Sequence, residues 1–297
     1  MNKIRCAIIG PGNIGMNLLY KINRSNILEC ALFVGRNKNS KNLIAARKMG
    51  ITTGSNSIQD IIDNADEFDI VFDATTAESH KTTAAILKKL KKYAIDLTPS
   101  KVGKLCVPCL NWKDCLQVDN VNMITCGGQS MVPLAYALKQ ACPQTTYVET
   151  ISTISSKSAG PGTRANIDDY IETTGLALKQ FSGVENTKAM IVLNPAEPPI
   201  IMRNTLYAIA ENPDLIRIRV ELDNMVRKIE KYIPGYTMLV EPTLLKDNIV
   251  ATSVQVEGCG DFLPRYAGNL DIITCAAIEM AEHYACKLLE EEGGCLF

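Results

Sequence analysis

IRCAIIGPGNIG, residues 4–15, decides how the rest of the chain is read. A short apolar run ends at Gly10. Gly10, Gly12 and Gly15 then stand in the spacing GxGxxG, before a stretch with Ile14, Leu18, Leu19 and Ile22 at helical intervals. Glycines between a strand and a helix allow a tight turn and close approach of the backbone to a ligand. The helix N-terminus offers unpaired N–H groups and partial positive charge to a pyrophosphate. Pro11, Gly12, Asn13, Ile14 and Gly15 are therefore the candidate dinucleotide loop. The plainer reading is a glycine turn that closes a strand–helix corner without ligand.

The same alternation continues after this motif. LECALFVG (28–35) and FDIVFDAT (68–75) read as strands, with a helical run at 78–92. YAIDLT (93–98), LCVPCLN (105–111) and VNMITC (121–126) read as further buried strands. Strands alternating with helices imply βαβ units and a doubly wound, Rossmann-type parallel sheet. After about residue 145 the pattern changes. TTYVETISTIS (145–155) and residues 187–194, 199–210, 236–245 and 249–257 are β-rich, with helices expected at 167–180 and 212–232. That composition predicts a second, α+β domain with a mixed or antiparallel sheet. Residues 270–292 read as a long amphipathic helix before an acidic, glycine-containing tail.

Composition narrows the function. The chain has 297 residues, 46% hydrophobic and 21% charged, enough apolar material for one or two folded domains. A net charge of −1 gives no global electrostatic reason to bind nucleic acid or an anionic membrane. No stretch approaches the roughly 18 apolar residues of a membrane-spanning helix, and the N-terminal run reads as a strand rather than a signal peptide. Eleven scattered cysteines without a secretory signal indicate reduced thiols and a cytoplasmic setting. There are only two histidines, His80 and His283, and neither sits in an informative motif.

The place where a dinucleotide-binding fold usually carries an acid for the ribose 2′-hydroxyl holds Gly35-Arg36-Asn37-Lys38. Arg36 and Lys38 suit a 2′-phosphate, so NADP stands beside NAD; both are equally readable as solvated loop cations. Cys106 and Cys109 form CVPC but lack a second pair or a suitable histidine, which argues against zinc. Cys126 differs from the other cysteines. It ends the run VNMIT and precedes Gly127-Gly128-Gln129 and the helical MVPLAYALKQ. A thiol at a helix N-terminus is expected to have a lowered pKa, and the glycine amides are expected to be free for a developing oxyanion. This favours a nucleophile over a small core residue. A second glycine-rich segment, Ser158-Ala159-Gly160-Pro161-Gly162-Thr163-Arg164-Ala165-Asn166, is either an anion loop or a structural turn.

In order along the chain, AIIGPGNIG, IDLTP, TCGGQ, SKSAGPGTRANID, IVLNPAEPP, IPGY and YAGNLDI resemble the acylating acetaldehyde dehydrogenases, which work beside 4-hydroxy-2-oxovalerate aldolases in the breakdown of aromatic compounds. The resemblance implies that an aldehyde, coenzyme A and NAD⁺ give acyl-CoA and NADH through a thiohemiacetal and then an acyl thioester on Cys126. It also implies cofactor contacts at Pro11–Ile14, at Ser158–Asn166 and at Asn269. The implied architecture is a nucleotide domain, residues 1–129 completed by 267–297, and a catalytic and dimerisation domain, 130–266. A homodimer and an aldolase partner follow from the same resemblance.

The chain departs from that pattern in one chemically important place. The family carries an Asp in MRDT, whereas here the segment reads Met202-Arg203-Asn204-Thr205. Asn204 orients groups and hydrogen-bonds but does not take a proton near neutral pH. Arg36 and the loops Thr76–Ser79 and Ser100-Lys101 suggest an altered substrate. Two other readings compete: a biosynthetic reductase running the thioester chemistry backwards to an aldehyde, and a non-catalytic dinucleotide-binding subunit.

Overall fold

The computed structural model describes residues 3–246 and 248–291, apart from the side chain of Pro161. The acidic tail expected after the last helix lies outside the described residues, as does that side chain. The chain forms two compact units, one within residues 1–123 and 274–297 and the other 124–273.

The first unit runs β1 (Ile4–Ile9), α1 (Asn13–Ile22), β2 (Leu28–Val34), α2 (Lys41–Lys48), β3 (Thr53–Gly54), α3 (Ile58–Asp63), β4 (Ile70–Asp73), α4 (Ala77–Lys89), β5 (Tyr93–Asp96), β6 (Lys104–Leu105), α5 (Pro108–Cys115) and β7 (Asn120–Asn122). Its seven strands are all parallel, in the order β3-β2-β1-β4-β5-β7-β6. Helices cover both faces of such a sheet, and so β1, β4 and β5 are nearly continuous apolar runs with almost every residue buried. The order reverses on either side of β1. The glycine loop thus leaves the sheet at its topological switch point, where ligands bind in open α/β sheets.

Two expected strands are corrected. LCVPCLN is strand only at β6, because Pro108 opens α5 at the first helical turn, where its missing N–H is harmless. VNMITC is strand only to Asn122, because Thr125 caps a helix that starts at Cys126.

The second unit comprises α6 (Cys126–Ala141), β8 (Thr145–Ser155), α7 (Pro161–Ala165), α8 (Ile167–Ser182), β9 (Asn186–Asn194), β10 (Met202–Ala210), α9 (Leu215–Glu230), β11 (Tyr236–Leu244), β12 (Ile249–Val256) and the start of α10 (Gly268–Glu291). From Thr274 onward α10 belongs to the first unit. The second sheet has the order β11-β12-β10-β8-β9, with β8 and β9 parallel and the other pairs antiparallel. Alternation is clear on β10 and β12, as expected of a sheet covered on one face. On the covered face Asn204 lies opposite Ser152, Leu206 opposite Thr150 and Ala208 opposite Val148. α6 lies against β8 and β10 and is flanked by α8 and α9.

A buried polar cluster joins the carboxyl ends of β4, β5 and β7 in the first unit. Asp73 accepts from His80 Nδ1 at 2.9 Å and from the Thr75 amide at 3.0 Å. Asp96 accepts from Ser100 Oγ at 2.5 Å, Asn122 Nδ2 at 2.7 Å and the Thr98 amide at 2.8 Å. His80 Nε2 faces Asn120 at 3.0 Å and Asp96 at 3.5 Å. The cluster ties the loops after β4 and β5 to the sheet. Burial lifts the Asp96 carboxyl up to about 6, against the lowering effects of His80 and Ser100. Burial lowers the His80 pKa, but the Asp73 hydrogen bond and the two carboxylate charges outweigh it and leave it raised.

A carboxyl with a raised folded pKa holds its proton after the unfolded chain has released it. Its stabilisation is therefore lost as pH rises through the window between the two values. Wild type is expected to lose stability relative to Asp96→Asn as pH is raised from about 4 to 6, measured by urea unfolding across that range. A constant difference between the two proteins would show that Asp96 does not hold a proton in the folded state.

Candidate active site

The glycine loop divides its work among three glycines. Gly10 has φ +107°, a conformation that suits glycine, and a Cβ there would strike the Ala74 carbonyl. A Cβ on Gly15 would strike the Gly10 carbonyl and crowd Phe33, which is how close helix–strand packing excludes side chains. Around Gly12 a Cβ would meet nothing within 4 Å, so the space above the turn is open. Gly12 caps α1 without any side-chain hydrogen bond, and exposed Asn13 begins the helix, with Pro11 and Ile14 half-buried beside it. The first-turn amides are thus uncapped by any side chain. Asn42 Nδ2 donates to the Pro11 carbonyl at 2.9 Å and braces the turn from α2. This cradle fits the pyrophosphate of a dinucleotide.

The thiol site is built entirely within the second unit. Thr125 is the N-cap of α6, and its Oγ1 accepts from the Gly128 amide at 2.9 Å. Its hydroxyl bonds Thr174 Oγ1 on α8 at 2.7 Å, and Thr174 in turn donates to the Tyr170 carbonyl at 2.7 Å. Just before the cap, Ile124 has φ +63°. A β-branched residue in that region is a genuine outlier, costing about 1–3 kcal/mol, and such strain clusters at functional sites. Cys126 is therefore the first residue of the helix, set there by a cap and a strained approach.

The amides of Cys126 and Gly127 and the Tyr170 hydroxyl lie near the Cys126 sulfur and favour its thiolate. That hydroxyl is buried against the thiol, the Gly127 amide and Ser152, and makes no well-aligned hydrogen bond of its own. A Cβ on Gly127 would collide with both Tyr170 Oη and Ser152 Oγ, so only glycine allows this approach. The Gly128 amide is not free for an oxyanion as expected, because the cap consumes it.

The lowered thiol pKa expected from the helix N-terminus is also corrected. Burial pushes the Cys126 thiol up to about 11, against the opposing effects of the Tyr170 hydroxyl and the two amides. A helix N-terminus contributes typically about 0.3–1 kcal/mol, and desolvation of a thiolate outweighs it here. The residue as a whole remains partly accessible.

Asn204 is fully buried on β10, one helical turn of α6 away from Cys126. Its Nδ2 donates to Ser130 Oγ at 2.9 Å, while its Oδ1 has no partner. Tyr236 Oη donates to the Ser130 carbonyl at 2.7 Å. Asn204 thus bonds the helix that carries the thiol, not the thiol itself. Tyr170, Ser152, Thr174, Ser130 and Tyr236 had no signal in the sequence pattern. They come from α8, β8, α6 and β11 without a local motif.

Residues 158–166 form a braced turn after β8. The Ser158 hydroxyl donates to the Ser155 carbonyl at 2.9 Å. Arg164 donates to Ala159 O at 3.1 Å and to Ser156 O and Oγ at 3.0 and 2.8 Å, so its guanidinium fastens the turn. Asn166 Nδ2 reaches Gly162 O at 2.7 Å, and the Asn166 carbonyl accepts from the Tyr170 amide at 2.9 Å. Ala159 is buried, and Gly160, Gly162, Thr163 and Ala165 complete the turn into α8. Asn269, at the start of α10, is buried with its Oδ1 unpartnered.

Comparison with known proteins decides the family. The chain is 50% identical over 291 residues to an acetaldehyde dehydrogenase of Carboxydothermus hydrogenoformans, covering 98% of this chain and 96% of that protein. It is 47% identical over 282 residues to an acetaldehyde dehydrogenase of Spirochaeta aurantia, covering 95% of each. This chain belongs to the acetaldehyde dehydrogenase family. Residues 126–264 match the family model described as prokaryotic acetaldehyde dehydrogenase, dimerisation. Aspartate semialdehyde dehydrogenase II of Vibrio cholerae, solved as a complex with ASA, shares the fold at a TM-score of 0.66 and 12% identity, covering 98% of this chain and 99% of that one. The protein is thus an oxidoreductase of the acetaldehyde dehydrogenase type. Among the described residues no helix is long and apolar enough to cross a membrane.

With the thiol pKa near 11, alkylation of Cys126 by iodoacetamide is expected to accelerate with pH from 7 to 10 without a plateau. Tyr170→Phe removes a hydroxyl whose nearness favours the thiolate, and is expected to slow the reaction severalfold at pH 8. A plateau near pH 7 would mean that the helix N-terminus outweighs burial after all. Mass spectrometry of the Cys126 peptide reads both outcomes.

Proposed function

We propose that this acetaldehyde dehydrogenase is the CoA-acylating kind and that Cys126 carries the acyl group. The observation that supports the reading best is the thiol at the first position of α6, with the Cys126 and Gly127 amides and the Tyr170 hydroxyl beside it. Attack by the Cys126 thiolate on an aldehyde forms a C–S bond and moves the carbonyl π pair onto oxygen. The Cys126 and Gly127 amides are the donors available for that oxyanion. A nicotinamide dinucleotide, which the Gly10–Gly15 cradle would hold by its pyrophosphate, would supply the acceptor for the hydride that leaves the same carbon. The acyl thioester that remains on Cys126 is then cleaved by the thiolate of coenzyme A, and the Cys126 thiolate departs.

Neither neighbour acts as a base in this scheme. Burial holds the Tyr170 hydroxyl well above its ordinary range, and Asn204 is an amide. The thiol proton passes to solvent, to which the residue stays partly open. Asn204 is a positioning residue that holds Ser130, and through it the thiol-bearing turn of α6. Residues 158–166 and Asn269 are cofactor contacts in this reading; the unpartnered amide oxygen of Asn269 fits such a role. An aldolase partner and a cytoplasmic setting are carried by the resemblance alone.

The reading also includes a homodimer. The face of the second sheet opposite its helices holds a hollow of about 400 Å³ lined by Tyr147, Glu149, Ile151, Tyr207, Ile209 and Ile249, together with Ala208. Val192 and Ile209 on that sheet are exposed. A largely apolar hollow in a region matched by a dimerisation model fits a second copy of the chain.

Incubation with acetyl-CoA labelled in the acetyl carbon is expected to leave label on wild type and none on Cys126→Ser; an unlabelled wild type would refute covalent catalysis. Asn204→Asp places a carboxyl where only Ser130 Oγ is in hydrogen-bond reach. It is expected to add an ionisation to the pH–rate profile for acylation. An unchanged rate and profile would show that this position has no hold on proton transfer.

A further inference from the structure

The proposed dinucleotide site carries a specificity signal in the loop after β2. From Cys30 to Gln59 the chain contains no Asp or Glu, but it contains Arg36, Lys38, Lys41, Arg47 and Lys48. Arg47 is engaged, since its guanidinium bonds Thr53 Oγ1 at 2.8 and 3.1 Å. Arg36, Lys38 and Lys41 are exposed and have no ion-pair partner among the described residues. In a mixed-charge protein, three unpaired cations in six residues create a local positive field that net charge does not reveal.

The loop is held against the glycine turn. Gly35, just after β2, sits so close to Pro11 that a Cβ there would lie 2.5 Å from the proline ring. From the other side Asn42 fastens the Pro11 carbonyl. Between these two anchors the Asn37 side chain accepts from the Asn39 amide, and its carbonyl accepts from the Ser40 amide, both at 2.9 Å. This fixes the turn that presents Arg36 and Lys38. In a fold of this type the end of the second strand faces the adenosine ribose. An acid there accepts the 2′- and 3′-hydroxyls of NAD and repels a 2′-phosphate, whereas an Arg there accommodates the phosphate. Arg36 stands one residue beyond Gly35, and no carboxylate is available in the loop to take the hydroxyls.

Resting on the dinucleotide reading above, we propose that this enzyme prefers NADP(H) to NAD(H), with Arg36 as the specificity-determining residue for the 2′-phosphate and Lys38 as its second cation. The planar guanidinium gives two parallel N–H donors to phosphate oxygens, and Lys38 adds a point charge. The 2′-hydroxyl of NAD meets no carboxylate in this loop.

The test is direct binding, read by the fluorescence of the reduced nicotinamide on titrating the full chain with NADPH or NADH, without substrate. Wild type is expected to bind NADPH about 10- to 100-fold tighter than NADH, the range that one or two charge-assisted hydrogen bonds supply. Raising the salt is expected to shrink that ratio, because the contact is exposed. Arg36→Asp is expected to reverse the preference. Lys48→Asp makes the same change in net charge on α2 away from the turn and is expected to leave the ratio intact. Equal or tighter binding of NADH by wild type overturns the proposal while leaving the dinucleotide reading in place. A ratio moved as far by Lys48→Asp as by Arg36→Asp overturns the role of Arg36. Failure of both nucleotides to bind overturns both readings together.

Discussion

The hydrogen bond from the Gly128 amide to Thr125 Oγ1 decides where α6 begins, and the candidate active site follows from that point. Capping at Thr125 makes Cys126 the first helical residue. It also leaves the Cys126 and Gly127 amides without intrahelical partners. The cap is itself tied to α8 through Thr174, and α8 delivers the Tyr170 hydroxyl to the same thiol. Removing the cap would cost about 1 kcal/mol of helix stability. The larger consequence is geometric, because a helix starting one residue later would turn the thiol away from the amides. The left-handed Ile124 just before the cap is consistent with a chain forced into this approach rather than relaxed into it.

Two effects compete over the reactivity of that thiol, and their magnitudes settle the order. The amides and the Tyr170 hydroxyl favour the thiolate. Burial favours the thiol and prevails, holding it at about 11. A nucleophile kept protonated at rest is protected from oxidation and from stray electrophiles, since the thiolate is the reactive form. Its activation must then coincide with the arrival of a group that polarises or shares the charge, such as an aldehyde oxygen settling on the same amides. Position and restraint thus come from one arrangement: the fold that aims the amides at the sulfur also buries it.

Local pattern carried most of the architecture. TTYVETISTIS forms β8 over the residues expected, because an alternating β-branched run has one stable use in a sheet with one covered face. The glycine loop was legible because its spacing between a strand and a helix is itself a local pattern, although the Ala74 carbonyl that excludes a side chain at Gly10 comes from the distant turn after β4. LCVPCLN resembles a strand in sequence because an apolar run does not distinguish a strand from a buried turn entering a helix; Pro108 is the residue that opens the helix instead. The surroundings of Cys126 were not legible at all. Ser130 and Asn204 lie 74 residues apart, Tyr236 and Ser130 lie 106 apart, and no local spacing announces such pairs. The misjudged thiol pKa has the same origin. A helix N-terminus is visible in sequence, but the burial that overrides it is a property of tertiary packing.

Asn204 shows how a folding cost can mark a site. It lies on the helix-covered face of the second sheet between Met202 and Leu206, both fully buried. A leucine there would contribute about 1.5–3 kcal/mol of burial. The amide instead spends one donor on Ser130 and leaves Oδ1 unpaired, a loss of about 1–3 kcal/mol. A carboxylate there would be costlier still to bury, with the Ser130 hydroxyl as its partner. For stability alone an apolar side chain is the better choice and the amide only the better of the polar ones. A polar side chain held there at a loss, one helical turn from an aimed thiol, is explained by orientation of that turn rather than by packing.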